Sequence, residues 1–175
     1  MPDSTLSEAL REAYASAPAD QVIWHTLEFW AAVFSAPIRV VRDVTALDAR
    51  LEADAPRDAG EVVTFAAYAF DVVRPEVGAE ALPQVTIEID NVSLEILAQL
   101  DAAVMAGQRI EVIYREFLSG AELDGPENDP PLVMDLMSCS VTTRRIRATA
   151  GFPTLQDFKF PSLEYDLESY PGLAP

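Results

Sequence analysis

Between residues 85 and 107 the chain changes its hydrophobic period from two to that of a helix within a few residues, and that change restricts the folds open to it. Val85, Ile87 and Ile89 alternate with Thr86, Glu88 and Asp90, the pattern of a strand with one buried and one wet face. Ser93 then caps a helix in which Ile96, Leu97, Leu100 and Val104 line one side, Val92 staples onto Leu97, and Gly107 supplies the stop. Strand-like runs stand on both sides of this helix with no strict strand–helix alternation. The pattern predicts an α+β, mainly β fold: a β-sandwich or barrel-like sheet with one packed central helix.

The other runs fill in that outline. Residues 4–16 read as a short N-terminal helix with a Thr5–Glu8 capping box and Leu6, Ala9, Leu10 and Ala13 on one face, ended by Pro18. Val22–Phe29 and Ile38–Val41 read as a hairpin whose apolar loop, Trp30–Pro37, makes a sticky tip. Residues 44–51 fit either a helical turn or an edge segment, and Glu52–Gly60 is a loop. Val62–Val73 reads as one long strand stopped by Arg74-Pro75, with Glu76–Pro83 as a loop. Arg109–Leu118 is a strand, and Leu132–Val141 with Arg144–Ala150 forms a hairpin around Thr142-Thr143. The sequence AELDGPENDPP between them is an acidic loop. The chain thus divides into a domain over residues 1–151 and an extended C-terminal arm over 152–175. In the arm, aromatics and prolines follow no helical or strand period across the segment as a whole. Phe158, Phe160, Tyr165 and Tyr170 in the arm, with Trp30 and Phe34 in the loop, are the candidate aromatic anchors of an interface, the arm docking on a neighbouring subunit or another protein; the alternative is that the arm folds back over its own sheet.

Length and charge narrow the function. At 175 residues one domain is expected, and no apolar run approaches the roughly 20 residues that cross a bilayer. The N-terminus, MPDSTLSEALREAY, is acidic and amphipathic rather than basic then apolar, so a soluble protein without a signal peptide is expected. Twelve Lys+Arg against 29 Asp+Glu leave a net charge of −17, which opposes sequence-specific binding to nucleic acid. Arg144, Arg145 and Arg147 form the basic patch, suited to bidentate pairing with acidic surfaces of neighbouring copies or, equally, an ordinary charged strand.

Enzymatic chemistry has little to stand on. The single histidine, His25, sits inside the first strand and reads as a core or interface residue, which excludes a multi-histidine metal site within one chain. Cys139 is the single cysteine and reads as a small core hydrophobe. The glycines fall into no phosphate-binding pattern. Asp124, Glu127 and Asp129 are the one acidic group able to supply oxygens to a hard cation such as calcium, but their spacing misses the EF-hand pattern and three prolines mark a surface loop. Glu88 and Asp90 share the wet face of a strand and read as solvated rather than as an acid/base pair. The expectation is a protein that is not an enzyme and carries no cofactor or metal.

Blocks along nearly the whole chain, SEALREAYASAP, VIWHTLEF, APIRVVRD, LEADAP, GEVVTFAAYAFDV, VTIEIDNVS, DPPLVMDLMS and KFPSLEYDLESYPGL, resemble a family of minor tail proteins of tailed phages, long catalogued as a domain of unknown function. IEIDNVS and the FPS…YPGL ending are the most specific of them. The resemblance implies a virion component assembled in the host cytoplasm: a distal-tail-like ring at the tail tip or baseplate of a long, non-contractile tail, joining tube to hub and allowing DNA passage. The implied partners are other copies of itself, in a hexamer by the six-fold symmetry of such tails, and the tail tube, tape-measure and tail hub proteins. In such a ring the surplus acidity is expected on the lining, where like charge keeps DNA off the wall. A tail assembly chaperone absent from the virion and a small tail-tip hydrolase are the competing readings.

Overall fold

The computed structural model describes residues 7–16, 21–73, 84–90, 94–142 and 145–152. Among the described residues nine strands, β1 (Ile23–Trp30), β2 (Ile38–Arg42), β3 (Leu47–Arg50), β4 (Val62–Tyr68), β5 (Phe70–Val73), β6 (Gln84–Asp90), β7 (Glu111–Leu118), β8 (Leu132–Val141) and β9 (Arg145–Gly151), form one sheet, with two helices, α1 (Glu8–Ser16) and α2 (Leu94–Met105). The order is β3-β4-β2-β1-β7-β8-β9-β6-β5, antiparallel throughout except for the parallel pair β2–β4. The α+β, mainly β class expected from the sequence is the class observed.

The long strand expected over residues 62–73 is broken at Ala69. Its halves lie far apart in the sheet order, β4 beside β2 and β3, and β5 at the opposite edge beside β6. Tyr68 and Phe70 are two residues apart, so at under about 3.8 Å per step the far end of the sheet curls back to meet its beginning. The sheet is therefore barrel-like in curvature but unclosed, and Arg42 of β2 reaches Asp71 of β5 across the seam at 3.2 Å.

Curling gives the sheet an inner face, and the larger core fills it: Leu27 and Phe29 from β1, Val40 from β2, Phe70 from β5, Val85, Ile87 and Ile89 from β6, Val112 and Tyr114 from β7, Ile146, Ala148 and Ala150 from β9. The alternation read in residues 85–90 is thus an inward apolar row, with Thr86 and Glu88 half-exposed on the other side. α2 lies on this core through Leu97, Leu100 and Ala103, while Val104, expected on the buried stripe, is 54 % exposed. Ile96, Leu97 and Leu100 keep the expected face, and only in the last turn does small Ala103 meet the sheet in place of Val104. Gly107 ends the helix in the left-handed region, φ +62°, with Gln108 N–H donating to Ala103 O and Gly107 N–H to Val104 O, both at 3.0 Å. Ser93 and Val92 lie outside the described residues.

Two local expectations change and one open alternative is resolved. α1 begins at Glu8 with Ser7 as its cap, Leu10 N–H donating to Ser7 Oγ at 3.0 Å; Thr5 lies outside the described residues. The ambiguous stretch 44–51 contains β3, an edge strand. The loop after Trp30 is not an exposed apolar tip, because Ala31 and Phe34 turn into the larger core and Trp30 packs against it, leaving Val33 outward.

Candidate assembly interface

Alternation along β1 puts Glu28 opposite Leu27 and Phe29, on the outer face, where a strand carboxylate is ordinarily wet. Here it is not. The Glu52–Gly60 loop folds back over the outer face of β1, β2 and β7, and Glu28 and Arg115 beneath it are both 0 % exposed. A second, smaller core of Val41, Leu47, Ala49, Leu51, Ala55, Phe65 and Phe117 lies on this side, Phe65 and Phe117 meeting at 5.9 Å.

Three guanidinium groups converge on Glu28: Arg39 Nε at 3.1 Å, Arg57 Nε at 2.9 Å and Arg115 Nη1 at 3.1 Å. Each arginine also holds a second carboxylate. Arg115 grips Glu52 through two bonds, Nε to Oε2 at 2.8 Å and Nη2 to Oε1 at 2.7 Å; Arg39 reaches Asp58 at 2.6 Å; Arg57 reaches Glu111. Arg57 also sits 5.3 Å above the Trp30 ring, whose edge meets Phe34 at 6.5 Å. Burial alone would lower the pKa of Arg57, but its bonds to Glu111 and Glu28 outweigh that and hold it above the usual arginine value. Because Glu52, Arg57 and Asp58 come from the loop, the network fastens the loop to the sheet. The sequence reading found none of these arginines; the available signal was a pair of charges, Glu28 and Arg115, inside otherwise apolar strands.

A second polar cluster fastens α1. Tyr14 Oη donates to Glu116 Oε1 at 2.9 Å, and Tyr114 Oη donates to the same oxygen. His25 Nδ1 lies 2.7 Å from Tyr114 Oη and 3.4 Å from Glu116 Oε1, its side chain 24 % exposed and stacked on Tyr114. His25 is thus a half-buried residue of a hydrogen-bonded group joining helix to sheet. Buried Asn128 clamps β7 from the acidic loop, accepting from Glu116 N–H at 2.9 Å and donating to Tyr114 O at 3.1 Å. Glu127 takes the Ser7 hydroxyl, while Asp124 and Asp129 line an open cavity of about 430 Å³ with Arg50, Glu52 and Asp54. Among the described residues no group of His, Cys, Asp or Glu is gathered as a metal site, so the calcium candidate is not assembled.

The expected interface residues divide by location. Trp30 is half-buried beneath Arg57, and Phe34, at 5 % exposure, offers almost no surface. Arg145 and Arg147 project from the outer face of β9, their side chains 52 % and 63 % exposed, and both reach Glu88 on β6, at 3.8 Å and 2.6 Å. Part of the carboxylate pairing expected from neighbouring copies is thus supplied within the chain. Arg144, Phe158, Phe160, Tyr165 and Tyr170 lie outside the described residues, as does Asp90's side chain. Cys139 packs against the larger core, and burial, then Asp101 nearby, push its thiol pKa up. Among the described residues no helix is long and apolar enough to cross a membrane.

No curated protein matches this sequence. A family model does, over residues 9–165, and the chain belongs to that family, the Domain of unknown function (DUF1833).

Proposed function

We propose that this chain is a structural subunit of a phage tail tip or baseplate, forming a distal-tail-like ring between the tail tube and the hub of a long, non-contractile tail. The observation that carries the reading is the resemblance of IEIDNVS and the FPS…YPGL ending, within blocks running nearly the length of the chain, to minor tail proteins. The physical character of the domain supports it. Its buried ionisable groups are spent on holding loop and helix to the sheet, as a rigid building block requires, with Glu28 and Arg115 tied into one network. A net charge of −17 suits a channel through which DNA passes without adhering. The subunit's partners in this reading are further copies of itself, most simply six in a closed ring, with tube, tape-measure and hub proteins above and below.

Mass spectrometry and electron microscopy of purified virions test this. The expected result is this chain in every particle, as a ring at the tail tip with carboxylates lining its lumen. Its absence from finished virions would mean an assembly chaperone instead, and an arginine-lined lumen would refute the reading of the charge.

A further inference from the structure

A side-chain carboxyl is ordinarily kept from the backbone nitrogen of the next residue, because that N–H is hydrogen-bonded or the next side chain stands in the way. In the acidic loop between β7 and β8, the Asp124-Gly125 pair escapes both restraints. Asp124 N–H donates to Ala121 O at 2.9 Å, closing a turn that leaves the Asp124 side chain exposed on the open cavity of about 430 Å³. Among the described residues neither the Asp124 carboxyl nor the Gly125 N–H has a hydrogen-bond or ion-pair partner. Gly125 has no side chain, and apart from its chain neighbours no heavy atom lies within 4 Å of where a Cβ would stand.

We propose that Asp124 is a site of spontaneous isomerisation to isoaspartate. With the carboxyl in its acid form, Gly125 N bonds to Asp124 Cγ. The Cγ–OH bond breaks, and the hydroxyl leaves with the N–H proton as water, closing a succinimide ring. Water then adds to one of the two imide carbonyls. Opening at Cγ restores aspartate; opening at the main-chain carbonyl leaves the chain running through the side-chain carbon, with the α-carboxylate pendant. Water is the one co-reactant, and nothing is oxidised or reduced.

The other described aspartates lack this opening. Val44 and Val72 put β-branched bulk beside the nitrogens that follow Asp43 and Asp71. Ala55 N–H donates to Glu52 O at 3.2 Å and Leu136 N–H to Ile110 O at 2.9 Å, so the nitrogens after Asp54 and Asp135 are engaged. Asp48 and Asp101 lie inside β3 and α2, Asp58 is held by Arg39 at 2.6 Å, and Asp129 precedes Pro130, which has no N–H. The Asn128 amide, a group that also cyclises, is buried and bonded to β7. Isomerisation at Asp124 adds a main-chain carbon between two pinned residues: Leu123, whose O accepts from Arg50 Nε at 2.9 Å, and Glu127, whose N–H donates to Glu116 O at 2.8 Å. Residues 124–126 therefore take up the extra length, while charge and mass stay as they were.

The full chain, incubated at neutral pH and body temperature beside a synthetic peptide of residues 119–131, tests the proposal. Isoaspartate is read by methyl transfer from S-adenosylmethionine with an isoaspartyl carboxyl methyltransferase, and placed by electron-transfer fragmentation of the tryptic peptide 116–144. At position 124 it is expected to form in the folded chain within about tenfold of its rate in the synthetic peptide, since no local opening has to precede it. It is also expected to outpace isomerisation at every other described aspartate by about tenfold or more. Asp124→Glu keeps the charge but has to close a larger ring, and is expected to abolish the signal at that position. The proposal is overturned if position 124 in the folded chain lags the synthetic peptide by more than about tenfold, if another described aspartate comes within about tenfold of it, or if Asp124→Glu retains the signal.

Discussion

Glu28→Gln tests whether the buried arginine–carboxylate frame holds the Glu52–Gly60 loop in place. Glu28 accepts three charge-assisted bonds, at 2.9, 3.1 and 3.1 Å, from groups that are wholly or largely withdrawn from water. Bonds of that kind contribute about 1.5–3 kcal/mol each, against a desolvation cost of several kcal/mol per buried ion. Removing one partner from a buried ionic group typically destabilises by about 3–5 kcal/mol. The low end applies here, because Arg39 keeps Asp58, Arg57 keeps Glu111 and Arg115 keeps Glu52. A loss of about 3 kcal/mol corresponds to a melting temperature roughly 6–12 °C lower for a domain of this size. Calorimetry gives that number, and trypsin gives the location, since cleavage after Arg57 should accelerate as the loop lifts. Glu88→Gln is the control: its partners Arg145 and Arg147 are 52 % and 63 % exposed, so it should cost under about 1 kcal/mol. If Glu28→Gln melts within about 1 kcal/mol of the parent and Arg57 stays resistant, the frame does not fasten the loop.

Asn128→Ala leaves Glu116 N–H and Tyr114 O without the side chain that bridges them, and should cost about 2 kcal/mol in denaturant unfolding; a loss below about 0.5 kcal/mol would mean water replaces the amide. Gly107→Ala forces a Cβ into φ +62° at the end of α2 and should lower stability by about 1 kcal/mol, which thermal melts would detect as a shift of a few degrees. The Asp43 carboxyl is held below its ordinary range by the Val44 N–H and by Trp24 Nε1 at 2.8 Å, so the stability it contributes is complete above the ordinary carboxylate pKa and is lost as pH falls through the lower folded value. Trp24→Phe should therefore weaken the pH dependence of stability over that acid window, and unchanged acid titrations of stability would count against the assignment. The Cys139 thiol, pushed up by burial, should react with iodoacetamide more slowly than a free thiol at mildly alkaline pH; a rate equal to that of a free thiol would contradict its packing.

Where local pattern and final environment agree, the sequence was enough. The alternation of Val85, Ile87 and Ile89 is the same whether read as letters or as an inward row, because a strand's period is a property of its backbone. Gly107 marks the end of α2 for the same local reason, a left-handed residue that closes the last turn. What the sequence could not supply was whatever depended on residues distant in the chain. The break at Ala69 is invisible in a continuous β-rich run, because it arises from β4 and β5 pairing with neighbours at opposite ends of the sheet order. Glu28 and Arg115 stand on a strand face that would be wet without the loop from residue 52 to 60, and only that long-range closure makes it a buried ion-pair frame. Phe34 moved the opposite way, from an expected surface anchor to the core, because sheet curvature gave the loop after β1 an interior to fill. Local periodicity fixes which segments are strands and helices; burial is set by what packs over them, and that is decided by pairings far apart in sequence.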